Sequence, residues 1–174
     1  MGKPRIVRAR VVGDNIDTDT IIASHRKRDS PDANVLRRYL FEHLRPDYIA
    51  TVEPGDMLVA GENFGCGSAM EVAATVIAAS GLTPMIAASY ARTFYRNAIN
   101  NGLHLSHADT TTVTDCAYYE YHAAPRWVLR PLDGRGDDIQ LRPVTGLASD
   151  IVAAGGLIPY VNSGRSLTAH LHEP

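Results

Sequence analysis

The stretch of the sequence best suited to chemistry is a glycine-rich loop, GENFGCGSAME, at residues 61–71. It lies between two apolar runs, which predict a buried strand before it and a buried helix after it. Glycine allows a sharp turn and a close approach of the backbone to a ligand. Free N–H groups and the dipole at the start of a helix favour negative charge. We therefore expect the N–H groups of Gly67, Ser68 and Ala69 to face an anion, with Ser68 beside it.

Two other interpretations of this loop remain open from the residues alone. A phosphate-binding loop would continue with Gly-Lys-Ser/Thr, and the sequence has no such continuation, so nucleotide binding is only weakly indicated. A free-standing phosphate-binding or nucleotide-binding module is nevertheless one candidate. The other is a tight turn from strand to helix in which Ser68 is an ordinary helix cap.

A second polar group follows the first predicted strand, residues 6–12. It contains Asp19 and the basic run HRKR at residues 25–28. If the strands are parallel, this group leaves the sheet at the same edge as the glycine-rich loop, where α/β proteins bind ligands. Arginine binds carboxylates through paired hydrogen bonds. Asp19, Ser68 and a nearby arginine would suit proton transfer beside a bound carboxylate. Alternatively, the basic run is a solvated charged loop.

The order of predicted elements indicates an α/β fold. Strands are predicted at 6–12, 57–60 and 84–88, and helices at 30–44, from about 69 to 80, at 90–101 and at 149–154. Residues 103–145 are predicted to form short strands joined by turns. Strands that alternate with helices favour parallel pairing with helical crossovers.

Composition narrows the class of protein. The 174 residues fit a single domain, which we assign to residues 1–174 with a core at 6–161 and a polar tail at 162–174. A net charge of -2 argues against a nucleic-acid partner. No apolar run reaches the ~20 residues of a membrane span, and basic residues interrupt the first apolar ones, so we expect no signal peptide and a cytoplasmic location.

The cysteine count limits the metal chemistry of the chain. There are two cysteines, Cys66 and Cys116, and they have neither CxxC spacing nor histidines at zinc-ligand offsets. An iron–sulfur cluster takes about three or four thiolates, so this chain alone is not expected to hold one. We predict no metal site on the chain and reduced thiols.

Four motifs together resemble a known family. GDNIDTDTII, GENFGCGSAMEVA, SYARTFYRNAINNGL and AAGGLIPYV occur in the order and spacing of the small subunit of 3-isopropylmalate dehydratase, which is the swivel domain of the aconitase superfamily. The resemblance covers roughly residues 6–105 and 149–161. It implies a compact swivelling β/β/α domain of the α/β class, whose mixed sheet has parallel core strands flanked by helices.

The resemblance also implies an activity and a partner. The family's enzymes are hydro-lyases of leucine biosynthesis that isomerise a hydroxy-dicarboxylate by dehydration and rehydration. The small subunit is active only with a large subunit that carries a [4Fe-4S] cluster, as a heterodimer or heterotetramer, and binds no cofactor itself. One iron of that cluster acts as a Lewis acid on the substrate.

Catalytic residues follow from the same resemblance. Ser68 falls on the serine of the family motif GCGSSRE that removes the proton, and Asp19 matches an acid near the active site. Arg28 falls where relatives that bind a distal carboxylate have an arginine, and Arg26 lies two residues earlier. We predict that both arginines bind substrate.

The motif GCGSAME departs from the family at two positions. Ala69 replaces a serine and Met70 replaces the arginine that binds a substrate carboxylate. We predict Gly67, Ala69 and Met70 as substrate contacts, within a more apolar pocket.

Three accounts of Met70 remain. The enzyme acts on a different malate-type or homoaconitate-type hydroxy acid, with an arginine elsewhere binding the carboxylate; or it is an ordinary isopropylmalate dehydratase subunit whose partner supplies the charge; or it is a non-catalytic subunit. Methionine as a core residue is a further alternative, in which its side chain points away from the ligand.

Overall fold

A computed structural model describes residues 3–165 of the chain. The strands are β1 (Arg5–Val11), β2 (Met57–Ala60), β3 (Met85–Ala87), β4 (Leu105–His107), β5 (Tyr118–His122), β6 (Val128–Pro131), β7 (Ile139–Gln140) and β8 (Arg142–Pro143). The α-helices are α1 (Thr18–Ile21), α2 (Ala33–Leu36), α3 (Glu71–Ser80), α4 (Arg92–Asn100), α5 (Leu147–Ala153) and α6 (Leu157–Asn162). Short 3-10 helices cover Ser24–Arg28, Arg37–Tyr39 and Ile49–Thr51.

The strands form one mixed sheet in the order β7-β6-β5-β1-β2-β3-β4-β8. Its four core strands, β1 to β4, are parallel and follow one another in chain order, with Ala9 opposite Met57 and Leu58 opposite Met85. Strands β5 to β8 pair antiparallel. Helices α3 and α4 pack against the same face of the sheet. This follows because the crossovers are right-handed and each one leads to the next strand in the same direction across the sheet. The predicted parallel core and mixed sheet are confirmed.

Each face of the sheet has its own hydrophobic core. Alternate residues of the buried strand β2 show the division: Leu58 packs toward the helices with Ile77 of α3, whereas Val59 packs toward Tyr119 and Leu129 on the opposite face. The strand is buried along its whole length because both faces are covered, which explains why its sequence shows no alternation. The parallel strands therefore form a rigid base for the loops at their carboxyl ends.

The prediction of one helix over residues 30–44 is wrong, because the observed helix is much shorter. Helix α2 has only four residues, capped by Asp32, and continues as a single 3-10 turn before the chain leaves the helical conformation at Leu40. Phe41 then adopts a positive φ of 56° and its N–H donates to the carbonyl oxygen of Ile21 at 2.9 Å. This turn buries the Phe41 ring completely against Tyr48, so tertiary packing outweighs the leucine periodicity.

Two smaller expectations also differ from the structure. Helix α3 begins at Glu71, with Met70 as its N-cap, about two residues later than predicted; Gly81 ends it as expected. Residues 157–162, which lie outside the helix predicted at 149–154, form a further helix, α6. Part of the predicted polar tail, residues 166–174, lies outside the described residues. Within residues 3–165, no helix has the length and apolar character needed to cross a bilayer.

Candidate functional site

The site is built from loops that follow the parallel strands. The loop after β1 runs beside the glycine-rich loop after β2, so that the parallel pairing of the two strands continues beyond their ends. The backbone hydrogen bonds are Gly61 N to Gly13 O (2.9 Å), Asn15 N to Glu62 O (2.8 Å), Gly65 N to Ile16 O (2.7 Å) and Thr18 N to Cys66 O (2.9 Å). The predicted meeting of these two loops at one edge of the sheet is confirmed.

A third loop, after β3, supports the glycine-rich loop from its other side. Phe64 donates its N–H to the carbonyl oxygen of Ser89 at 3.0 Å and accepts from Ala91 N at 2.8 Å. Gly65 lies against the Phe94 ring of α4 at φ +79°, and a Cβ at this position would overlap that ring. Glycine is therefore required at 65 both by the backbone angle and by the contact. The loop is held on both sides before it reaches Ser68.

Ser68 is exposed at the end of this supported segment. Among residues 3–165, its hydroxyl has no hydrogen-bond partner, and the N–H groups of Gly67, Ser68 and Ala69 have no acceptor. Backbone amide donors that are free beside an exposed hydroxyl are the groups that bind anions and stabilise oxyanions in proteins. The structure thus exposes Gly67, Ser68 and Ala69 with free N–H groups, as expected from the sequence. Their contacts with substrate remain predictions.

Thr18 was missed as a site residue by the sequence analysis. It is 2% exposed, and its hydroxyl donates to the carbonyl oxygen of Ser68 at 3.0 Å. The motif Asp-Thr-Asp did indicate a hydrogen bond from this side chain, because a threonine that is buried next to a polar loop needs a hydrogen-bond partner. What the sequence lacked was the identity of that partner, which lies 50 residues along the chain.

Met70 does not face the exposed loop. It is 4% exposed and belongs to the hydrophobic core between the helices and the sheet. This position agrees with the alternative in which Met70 fills the core, and the substrate contact of Met70 stays a prediction.

Arg26 is occupied by contacts within the chain. Its guanidinium donates to both carboxylate oxygens of Glu42, at 2.9 and 2.8 Å, and lies 3.8 Å above the centre of the Tyr39 ring. It also pairs with Asp29 at 3.3 Å. The hydrogen bonds from Arg26 hold the pKa of Glu42 below its ordinary value. Arg26 therefore fixes the basic segment to residues 39–42, and the structure does not support the predicted substrate contact.

Arg28 and Asp19 have different places in this segment. Arg28 is exposed and has no hydrogen bond or ion pair within residues 3–165, so its guanidinium is free for a ligand. Asp19 is also exposed, and one of its carboxylate oxygens accepts the N–H of Ser24 at 2.9 Å, at the start of the 3-10 helix that carries Arg28. Asp19 thus helps to orient the basic segment. The catalytic role of Asp19 and the substrate contact of Arg28 remain predictions.

Metal-ligating side chains are not clustered in the part of the chain that the structure describes. In residues 3–165, no three His, Cys, Asp or Glu side chains are grouped as metal ligands. The two free thiols lie in different places, since Cys66 contacts the backbone of Asn15 whereas the backbone N–H of Cys116 donates to Ala9 within β1.

Comparison with known proteins identifies the family. Residues 12–106 match the family model described as the aconitase C-terminal domain. The chain is 38% identical over 160 residues to "3-isopropylmalate dehydratase small subunit 1" of Archaeoglobus fulgidus, an alignment that covers 91% of this chain and 97% of that protein. The chain belongs to the family of 3-isopropylmalate dehydratase small subunits.

Other members of the family show the same relationship. A small subunit from Moorella thermoacetica is 39% identical over 150 residues, covering 86% of this chain and 89% of its own length. A crystal structure titled as 3-isopropylmalate dehydratase from Methanocaldococcus jannaschii superposes with a TM-score of 0.86 at 36% identity, covering 91% and 93% of the two chains. The fold predicted from the resemblance, an aconitase-type α/β domain with a mixed sheet, is therefore confirmed.

Proposed function

We propose that this chain is the small subunit of a hydro-lyase of the 3-isopropylmalate dehydratase type, acting in leucine biosynthesis. It isomerises a hydroxy-dicarboxylate by dehydration and rehydration, together with a large subunit. The observation that carries the proposal is the exposed Ser68 hydroxyl among the free N–H groups of residues 67–69, at the carboxyl edge of the parallel strands. Family membership supports the type of reaction and the need for a partner chain.

The chemistry assigned to this chain is proton transfer. Ser68, as the alkoxide, takes the proton from the carbon next to the hydroxyl-bearing carbon. The electrons of that C–H bond form the double bond, and the C–O bond breaks so that the hydroxyl leaves with the electrons of that bond. Rehydration adds a proton to the carbon that lost the hydroxyl and a hydroxyl to the carbon that lost the proton. Serine is a weak base, and the free amide donors beside Ser68 supply the negative-charge stabilisation that the alkoxide needs. Asp19 is proposed as the acid of the same centre.

The partner has to supply what this chain lacks. We propose that the large subunit carries a [4Fe-4S] cluster, since this chain does not provide the thiolates for one. When bound there, the cluster would supply Lewis-acid activation of the substrate hydroxyl. The exposed carboxyl edge of β1 and β2 then faces the partner, and the amides of Gly67 and Ala69 contact the substrate between the two chains.

Reconstitution tests this function directly. The chain and an iron–sulfur large subunit are mixed anaerobically and assayed against 3-isopropylmalate and a panel of other malate derivatives, including homologues with a longer acidic chain. Turnover by the complex, with none by either chain alone, is the expected result. A complex that assembles with an intact cluster and converts no hydroxy acid in the panel would contradict an enzymatic function and favour a non-catalytic subunit.

Arg28 is expected to bind a substrate carboxylate. Changing Arg28 to Gln removes the only free guanidinium of the segment 24–28, and we expect KM to rise by roughly 10-fold or more, because a charged hydrogen bond contributes about 1.5–3 kcal/mol. Steady-state kinetics of the reconstituted complex measures this effect. Lys27→Gln is the matched control, since it removes a neighbouring exposed charge. Equal KM values for the two variants would exclude a specific role for Arg28.

A further inference from the structure

We propose that Thr18 is the positioning residue that aims the backbone N–H groups of Gly67 and Ala69 at the reaction centre. The inference rests on the proposed function of Ser68 and adds a residue that acts through the backbone beside it. Thr18 makes two hydrogen bonds to the glycine-rich loop, from its N–H to Cys66 O at 2.9 Å and from its hydroxyl to Ser68 O at 3.0 Å.

The direction of the amides follows from peptide geometry. In a trans peptide the C=O and the N–H of one unit point in opposite directions. The carbonyl of Ser68 and the N–H of Ala69 belong to one such unit, and the carbonyl of Cys66 and the N–H of Gly67 belong to another; neither is cis. Both carbonyls accept hydrogen bonds from the buried Thr18, and that of Ser68 also accepts the N–H of Met70 at 2.8 Å. Both N–H groups are therefore directed to the other side of their peptide units, which is the exposed side of the loop.

Thr18 is itself held firmly enough to serve this purpose. It is the first residue of α1, and its carbonyl accepts the N–H of Ile22 at 3.1 Å. Asp17 caps the same helix by accepting the N–H of Thr20 at 2.6 Å. Gly67, between the two fixed peptide units, has φ +85° and lies against the Thr18 side chain. The peptide units that carry these N–H groups are thus fixed to α1 and not only to their own loop.

Removal of the Thr18 hydroxyl tests the proposal. Thr18→Val keeps the shape of the side chain and loses the bond to Ser68 O. In the reconstituted complex we expect kcat to fall roughly 10- to 100-fold, because small misplacements of reacting groups have effects of this size. KM should change less than kcat, because misaligned amides weaken the stabilisation of the Ser68 alkoxide, on which proton transfer depends, more than they weaken substrate binding. Thr18→Ser, which keeps the hydroxyl, should retain most of the native kcat.

A matched control separates positioning from stability. The Thr110 hydroxyl donates to Ala60 O at 2.9 Å and is also buried, so Thr110→Val removes a bond of the same type outside the loop at 66–69. It should lower the melting temperature about as much as Thr18→Val and leave kcat unchanged. If the two variants lose kcat equally, the Thr18 effect is one of stability and the proposal is overturned.

A spectroscopic measurement on the free chain is independent of catalysis. The amide nitrogen shift of Ala69 reports the hydrogen bond to the carbonyl of its own peptide, and it should move in Thr18→Val and stay near the native position in Thr18→Ser and Thr110→Val. An unchanged Ala69 signal in Thr18→Val overturns the positioning role. If Ser68→Ala retains full activity, Ser68 is not the base, and the proposed catalytic consequence of Thr18 fails with it. The Ala69 signal still tests separately whether Thr18 orients the Ser68–Ala69 peptide.

Discussion

Ser68→Ala is expected to reduce kcat of the reconstituted complex by roughly 10²–10⁴-fold, the range lost when a general base is removed. The hydroxyl is exposed and has no hydrogen bond within the described chain, so its loss takes nothing from the folded structure. Stability should therefore change by no more than about 0.5 kcal/mol. Assembly with the large subunit and substrate KM should stay close to their native values, because only a transition-state interaction is removed.

The control for Ser68→Ala is an exposed hydroxyl elsewhere. Thr145 lies between β8 and α5, is exposed, and makes no side-chain hydrogen bond within residues 3–165. Thr145→Ala should leave both kcat and stability unchanged. Stopped-flow or steady-state measurement of substrate consumption at saturating substrate gives the comparison. Native turnover in Ser68→Ala, with a correctly assembled complex, would end the assignment of Ser68 as the base.

Asp56→Asn is expected to lower the free energy of unfolding by about 3–5 kcal/mol, as is usual when one member of a buried ion pair is removed. The Asp56 carboxylate is buried and accepts from Arg8 Nε at 3.0 Å and Nη2 at 2.7 Å, from Arg10 Nη1 at 3.3 Å and from Glu53 N at 3.0 Å. Its loss leaves the buried Arg10 without an acid partner among residues 3–165. The change should appear as a lower urea midpoint with an unchanged m-value.

The same carboxylate makes stability depend on pH. Burial by itself would raise the pKa of Asp56, but the hydrogen bonds from Arg8 and the Glu53 N–H outweigh burial and hold the pKa below its ordinary value. A depressed native pKa means that the stabilisation is complete above the unfolded-state value of about 3.9 and is lost as the pH falls through the native value. The stability difference between native and Asp56→Asn chains should therefore shrink below about pH 4.

An exposed ion pair provides the control for Asp56. Arg130 donates to both carboxylate oxygens of Asp138 at 2.7 and 2.6 Å, and both side chains are more than a third exposed. Asp138→Asn should cost less than about 1 kcal/mol, because water and salt screen exposed pairs. If the two variants lose equal free energy of unfolding, the buried ion pair of Asp56 is no more stabilising than the exposed one.

The sequence by itself determined the family and the parallel core, and it singled out Ser68 as the candidate base. Short-range signals were sufficient for these: the buried strand β2, the glycines of the loop that follows it, and the order of four motifs. The meeting of the Asp-Thr-Asp segment with the glycine-rich loop was also predictable, because parallel strands release their loops at one edge of the sheet. The position of Ser68 in the motif GCGSAME is sufficient to make it the candidate base.

Tertiary structure alone decided how the side chains around that residue are used. Arg26 and Arg28 look equivalent in the sequence, yet Glu42 neutralises the first and leaves the second free. Met70 turns into the core, and Thr18 turns to the Ser68 carbonyl. The physical reason is that hydrogen-bond partners and packing neighbours here are separated by 16 to 50 residues, a distance at which local periodicity and propensity carry no information.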